Sequence, residues 1–372
     1  MAGGSPIRND DALMSNAWLD ALHDAMHDNL APNADKPAAR VTDWNTALAC
    51  AITDLRRLSG GASQETWSFD LVEGDRVTPL ILRRAPGNAP SVVGSGGSAG
   101  LAAEAALFGL AAAAGVPVPA VRAVLRPEHG LGEGFVMDRI DGETLGGKIV
   151  RESRFEPARE QLACQCGEAM ARIHGIATTT LPPLRLAPAA AELAHYRGVH
   201  RSHGTSKPVF ELAFQWLLAN APPAPPQPVL VHGDFRNGNL IVDASGLRAV
   251  LDWELAHLGD GMEDLGWICV NSWRFGRSDL PVGGFGTREQ LFAGYEAAGG
   301  VVDAARVHYW QVLGTLKWGI ICEGMAHSYL TGAERNVEKA AIGRRASETE
   351  IDLLELLAPP PTTLSQFKAG KN

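Results

Sequence analysis

The chain has 372 residues, of which 45% are apolar and 20% charged, and its formal net charge is −9. That is too much apolar material for one small core, and the balance excludes both an intrinsically disordered chain and a basic nucleic-acid-binding surface. The acidity favours cationic or metal-bound partners, although net charge speaks to association more than to chemistry. Five scattered cysteines, Cys50, Cys164, Cys166, Cys269 and Cys322, lack CxxC spacing and read as reduced thiols. Cys164 and Cys166 lie two apart on a predicted helix and do not share a face, which argues against a zinc pair. No basic segment followed by an apolar run opens the chain, and no stretch reaches membrane-spanning length. The expectation is a soluble, cytoplasmic protein with neither membrane nor nucleic acid among its partners.

In chain order, residues 1–40 read as a peripheral extension, with a short amphipathic piece around Ala17 to Met26. Residues 41–139 carry strand patterns: "ETWSFDLVEG" and "VTPLILRRAP" form a predicted hairpin closed at Glu73, Gly74 and Asp75. A Gly/Ser-rich loop follows, then a helix in "LAAEAALFGLAAAAG" stopped by Gly115 and Pro117, then strand-like "VRAVLRP" and "GFVMDRI". Residues 140–358 are mainly helical, with helical spacing in "REQLACQCGEAMARIHGI", "VFELAFQWLLANA", "REQLFAGYEAAGG", "ARVHYWQVLGTLKWGIICEGMAHSYL" and "NVEKAAIGRRASETEIDLLELLA". One β-hairpin interrupts them, turned at Ala244, Ser245 and Gly246, and residues 359–372 form a tail. The expected class is α+β and bilobal: a small antiparallel sheet with one helix, then a larger helical lobe.

The interrupting stretch, "VLVHGDFRNGNLIVDASGLRAVLDWE", holds the chemistry. His232, Asp234 and Asn239 stand in the order H-x-D-x-x-x-x-N, and Asp252 follows Asp234 by eighteen residues, beyond the hairpin. This is the outline of a protein-kinase catalytic loop and metal site. A phosphoryl donor needs Mg²⁺, and a hard cation takes carboxylate and amide oxygens, which Asn239 and Asp252 supply from the two ends of a tight hairpin. Asp234, on the loop before the first hairpin strand, is then placed to take a proton from an acceptor hydroxyl, and Arg236 to set positive charge near the transferring group. His232 fits a role propping the loop better than one in reaction. Downstream, Glu254 is either a further metal ligand or a solvated carboxylate, and Asp260 and Asp264 cap the next helix or bond loop amides. Trp267, Trp273, Trp310 and Trp318 read first as core and second as pocket lining.

Kinase chemistry also asks for a cation on the α/β phosphates and an acidic partner on a helix. Arg83 in "PLILRRAP" and Glu104 in the following helix fill those places, with Arg84 on the opposite strand face. "LSGGASQETW" offers the backbone of Ser59, Gly60 and Gly61 to phosphates, though it is not a G-x-G-x-x-G loop. "GSGGSAG", Gly94 to Gly100, resembles a dinucleotide fingerprint but lacks the βαβ context, and a flexible connection fits it better.

These residues resemble the aminoglycoside phosphotransferase and choline kinase superfamily, a small-molecule branch of the protein-kinase-like fold. "VHGDFRNGNLIVD" with "VLDWELAHLGDGMEDLGW" is similar to its catalytic segment, and "RRLSGGASQETW", "LILRRAPG" and "FVMDRIDGETL" to its nucleotide-binding lobe. The Arg-Arg strand and "AAIGRRASETEIDLLELL" are similar to the subgroup related to kinase domains fused to acyl-CoA dehydrogenases. The resemblance implies ATP, or another nucleoside triphosphate, bound between the lobes with adenine on the backbone near Asp138 to Ile140. It further implies Asp234 as base and Asn239 and Asp252 as Mg²⁺ ligands, with Arg83 where most members have lysine. The expected activity is phosphorylation of a small-molecule hydroxyl, on a hydroxylated acyl or lipid-derived compound. An aminoglycoside or amino-alcohol acceptor and a catalytically weak nucleotide-binding module are the alternatives. No oligomeric state is legible in the sequence.

Overall fold

The structure is a computed structural model that describes residues 21–26, 50–58, 64–86 and 98–358. It divides into two compact units, residues 1–112 with 119–140 and residues 113–118 with 141–372.

The first unit is built on five antiparallel strands: β1 (Cys50–Leu58), β2 (Glu65–Glu73), β3 (Arg76–Arg84), β4 (Val121–Val124) and β5 (Gly134–Asp138), in the order β1-β2-β3-β5-β4. The β2–β3 turn falls at Gly74 and Asp75, where Gly74 takes a φ of 60°. Alternation along the strands separates two faces. Trp67, Phe69, Leu71, Leu80, Leu82 and Val136 share one core with Leu22, Ala25 and Met26. The segment read as a peripheral extension thus supplies three buried side chains to this unit. The other face meets helix α1 (Leu101–Ala113), where the rings of Phe108 and Phe135 lie 5.8 Å apart. Strand β1, absent from the sequence reading, carries a register shift between Thr53 and Arg56 and has Asp54 at a φ of 50°.

The second unit contains helices α2 (Gly146–Arg151), α3 (Glu156–His174), α4 (Ala189–His203), α5 (Pro208–Ala219), α6 (Met262–Trp267), α7 (Arg288–Ala297), α8 (Ala304–Leu330), α9 (Val337–Gly343) and α10 (Ala346–Leu357). Helix α8 is capped by the Asp303 carboxylate on the amides of Ala305 and Arg306, and it is buried round most of its circumference. The last predicted helix is two, α9 and α10, broken at Arg344 and Arg345. Gly343 ends α9 where a Cβ would come within 2.7 Å of Ala326 on α8, so the chain turns at the closest approach.

Four short strands position the polar segment: β6 (Val229–Val231), β7 (Leu240–Asp243), β8 (Gly246–Val250) and β9 (His257–Gly259). β7 and β8 form the expected hairpin, in which the Asp243 carboxylate accepts from the Ser245 amide at 2.7 Å. β6 does not join that hairpin but pairs with β9, so two antiparallel pairs bracket the loop. Among the described residues no helix is long and apolar enough to cross a membrane.

Candidate active site

The loop from His232 to Asn239 is shaped by a buried carboxylate. Asp264, fully buried on α6, accepts from the amides of His232 (2.8 Å) and Gly233 (2.9 Å) and is paired with His174 Nε2 (3.0 Å). Burial works to raise its pKa, but the hydrogen bond and charge of His174 and the contacts of His232 outweigh that and hold it below the usual carboxylate range. His174 is fixed in turn by the Tyr295 hydroxyl at 2.9 Å from Nδ1. Gly233 takes a φ of 82°, and any Cβ there would collide with the Leu255 carbonyl, so the turn needs glycine.

His232 braces the loop. Its Nε2 meets the Leu251 carbonyl at 3.0 Å and its Nδ1 lies 3.3 Å from the Asp234 amide, an arrangement that fits the Nε2–H tautomer. Burial pushes its pKa below the ordinary histidine value, against the pull of Asp264, Asp234 and Asp252, and the ring packs 4.8 Å from Trp253.

Asp234 is held by three donors. Its Oδ1 accepts from Arg236 Nε (2.8 Å) and Trp267 Nε1 (2.8 Å), and its Oδ2 accepts from Asn239 Nδ2 (2.6 Å). Arg236 therefore steadies this carboxylate, and its guanidinium lies 4.6 Å from the Trp273 ring centroid. Asn237 ties the loop to the Trp273 carbonyl (3.0 Å) and the Gly283 carbonyl (2.6 Å).

The hairpin register brings in the remaining pair. Leu240 faces Val250, and the Leu251 amide donates to the Asn239 carbonyl at 2.8 Å, so Leu251 lies across from Asn239 and Asp252 is the residue that follows it out of the hairpin. Asp252 sits at a φ of 65°, a left-handed conformation uncommon for any residue with a Cβ, though aspartate enters it more readily than most, and one that clusters at functional positions. Asn239 spends its amide nitrogen on Asp234, which leaves its side-chain oxygen as the atom that would meet a cation. Two hard oxygens suit Mg²⁺, which keeps waters and phosphate oxygens for its other positions. No cluster of three or more His, Cys, Asp or Glu side chains able to hold a metal occurs among the described residues.

In the first unit, the Arg83 guanidinium lies 3.4 Å from the Glu104 carboxylate and also contacts Gln64. Arg84 points to the other side, pairing with Glu65 at 2.9 Å and with the Leu131 carbonyl at 3.0 Å. The amides of Asp138 and Arg139 donate to Ala120 and Pro79, and the Asp138 carboxylate is gripped by Arg122 at 2.6 and 2.7 Å. Ile140 ends this unit. Ser59, Gly60 and Gly61 lie outside the described residues.

Three participants escaped the sequence reading: Trp267 as a donor to Asp234, and His174 with Tyr295 behind Asp264. Asp260 and Asp264 were both expected to cap the next helix or bond loop amides, and Asp264 is the one that bonds the amides of this loop. Asp260 bonds the Met262 amide at 3.1 Å at the start of α6 and also pairs with Arg306 and Trp310.

The matching family model, described as the phosphotransferase enzyme family, spans residues 54–301. Acyl-CoA dehydrogenase family member 10 of Mus musculus is 26% identical over 301 residues, covering 75% of this chain. The chain spans only 27% of that relative's length. A macrolide 2'-phosphotransferase from Brachybacterium faecium superposes with a TM-score of 0.56 at 19% identity, covering 80% of this chain and 94% of that one. A thermostable variant of the aminoglycoside phosphotransferase APH(4)-Ia, solved with AMP-PNP and hygromycin B, superposes with a TM-score of 0.55 at 18% identity, covering 83% and 95%. These solved structures share the kinase-like fold, and the family model covers well over half of the chain: it belongs to the phosphotransferase enzyme family.

Proposed function

We propose that the chain is an ATP-using, Mg²⁺-dependent kinase that phosphorylates a hydroxyl of a small molecule. The observation that carries this reading is the Asp234 carboxylate, oriented by Arg236, Trp267 and Asn239 and set on a loop that Asp264 clamps from behind. Asp234 takes the proton of the acceptor hydroxyl, the freed oxygen lone pair attacks the γ-phosphorus, and the β–γ bridging P–O bond breaks with its electron pair leaving on ADP. Asn239 and Asp252 would hold Mg²⁺, which when bound neutralises charge on the phosphates. Arg83, kept in place by Glu104, binds phosphate oxygens through a planar fork where a lysine would offer a point charge. Of residues 138–140, the amide of Ile140 is the donor available to adenine, since those of Asp138 and Arg139 are engaged. The complex of APH(4)-Ia with AMP-PNP supports ATP as the donor.

For the acceptor we favour a hydroxylated acyl or lipid-derived compound, a reading supported by the likeness to an acyl-CoA dehydrogenase family member. An amino-alcohol or aminoglycoside is the second reading. It draws on a groove in the second unit lined by Asn271, Ser272, Phe275, Arg345, Glu348 and Asp352, whose carboxylates suit ammonium groups. Against it, Arg345 already pairs with Glu348 at 3.0 Å and Asn271 with Asp352 at 2.8 Å.

Acceptor-dependent ADP release, measured across hydroxylated metabolites, hydroxyacyl-CoA compounds and aminoglycosides, separates these readings. Asp234→Asn is expected to lower turnover by about 10²- to 10⁴-fold while nucleotide binding persists; full activity in that variant sinks the assignment of the base.

A further inference from the structure

One buried charge beside this site has no part in the scheme above. Lys317 lies in the middle of α8 with 8% of its surface exposed. Its ammonium makes no ion pair and no hydrogen bond among the described residues. It lies instead over two rings, 4.8 Å from the Trp267 centroid and 5.7 Å from that of Tyr196. With Glu192, Glu263 and Trp310 these side chains line a small cavity.

A buried ammonium costs several kcal/mol unless its surroundings compensate. Burial works against the charged form, but the oxygens of Tyr196, Glu263 and Glu192 outweigh it, and the lysine stays charged. Those two carboxylates have partners of their own, the Arg185 guanidinium on Glu192 at 2.5 Å and the His257 ring on Glu263 at 3.2 Å. Each carboxylate is already engaged without Lys317, and their presence makes the cavity a poor host for an anion. What Lys317 does touch is the indole that serves Asp234. A cation on the face of an indole draws density from the ring and strengthens its N–H as a donor, and that N–H reaches Asp234 Oδ1 at 2.8 Å.

We propose that Lys317 is a positioning residue for phosphoryl transfer, fixing the orientation of the Asp234 carboxylate through the indole of Trp267. This rests on the reading of Asp234 as the base. With the ammonium in place, Trp267 and Arg236 both hold Oδ1, and the carboxylate keeps one orientation towards an incoming hydroxyl. Without it, the indole loses the charge that seats its face, and the carboxylate gains rotational freedom about χ2.

The test uses the full chain and its basal hydrolysis of MgATP, in which water replaces the unidentified acceptor. Lys317→Met, close in volume and uncharged, is expected to lower kcat about tenfold, equivalent to about 1.4 kcal/mol, with KM for ATP within about twofold. Trp267→Phe should cost a similar factor, and the double variant no more than either single one. In ¹⁵N spectra the Trp267 indole N–H resonance, identified by its loss in Trp267→Phe, should move in Lys317→Met. Independent, multiplying losses in the double variant overturn the proposal, and so does an unmoved indole resonance. Lys317→Gln gives the same readings if the methionine variant unfolds. Retained hydrolysis in Asp234→Asn would instead remove the base reading, while the indole resonance still reports the lysine–tryptophan contact by itself.

Discussion

Two fully buried carboxylates, one in each unit, are used in opposite ways. Glu104 on α1 faces a side chain, the guanidinium of Arg83 at 3.4 Å. Asp264 faces main chain, taking the amides of His232 and Gly233 as well as the ring of His174. A carboxylate paired with a side chain tunes the charge of a site, whereas one that clamps amides sets the path of the chain. The first kind of contact is adjustable, and the second is structural even when it stands two residues from the reacting group.

Four measurements can break that contrast or sharpen it. Asp264→Ala strands two buried amides and a histidine, and a loss of about 3–5 kcal/mol is expected in urea unfolding; a loss below 1 kcal/mol would mean that the loop holds its path without the clamp. Acid should reproduce part of this. The folded-state pKa of Asp264 is depressed, so its contribution is complete above its unfolded value, about 3.9, and is lost as pH falls through the folded value. Melting curves taken from pH 6 downwards should accordingly fall less steeply in Asp264→Asn than in the parent chain. In the first unit, Arg83→Met should raise KM for ATP about tenfold, near 1.4 kcal/mol, with unfolding changed by under 1 kcal/mol. Arg83→Lys should be the mildest, about threefold in KM, since a point charge survives where a fork is lost; a loss equal to that of Arg83→Met would make the fork itself indispensable.

The parts of the molecule that were legible are those written locally. Asp234, Asn239 and Asp252 lie on one short stretch whose turn residues announce the hairpin, and the register of that hairpin then does the assembling. The break after Gly343 left only a glycine inside a helical pattern, because its cause is the backbone of α8 packed against it. β1 was hidden by its exposure: as an edge strand with Asp54 in a left-handed conformation, it shows no alternation of apolar and polar residues. α6 has six residues, too few for a period to register. Trp267 read as core and is core; its bond to Asp234 spans 33 residues, and those of His174 to Asp264 and to Tyr295 span 90 and 121. Burial pattern reports that a side chain is inside, not which polar edge it turns towards a carboxylate.

The φ of 65° at Asp252 bears on the history of such chains as much as on their chemistry. Glycine would occupy that conformation without the roughly 1–2 kcal/mol that a Cβ incurs there. Asp252→Gly should therefore produce a protein that melts higher while turning over less, a gain and a loss at one codon. A lineage released from selection for phosphate transfer has a thermodynamic slope leading away from the carboxylate. Where the aspartate persists at such a position, its persistence is a record of use.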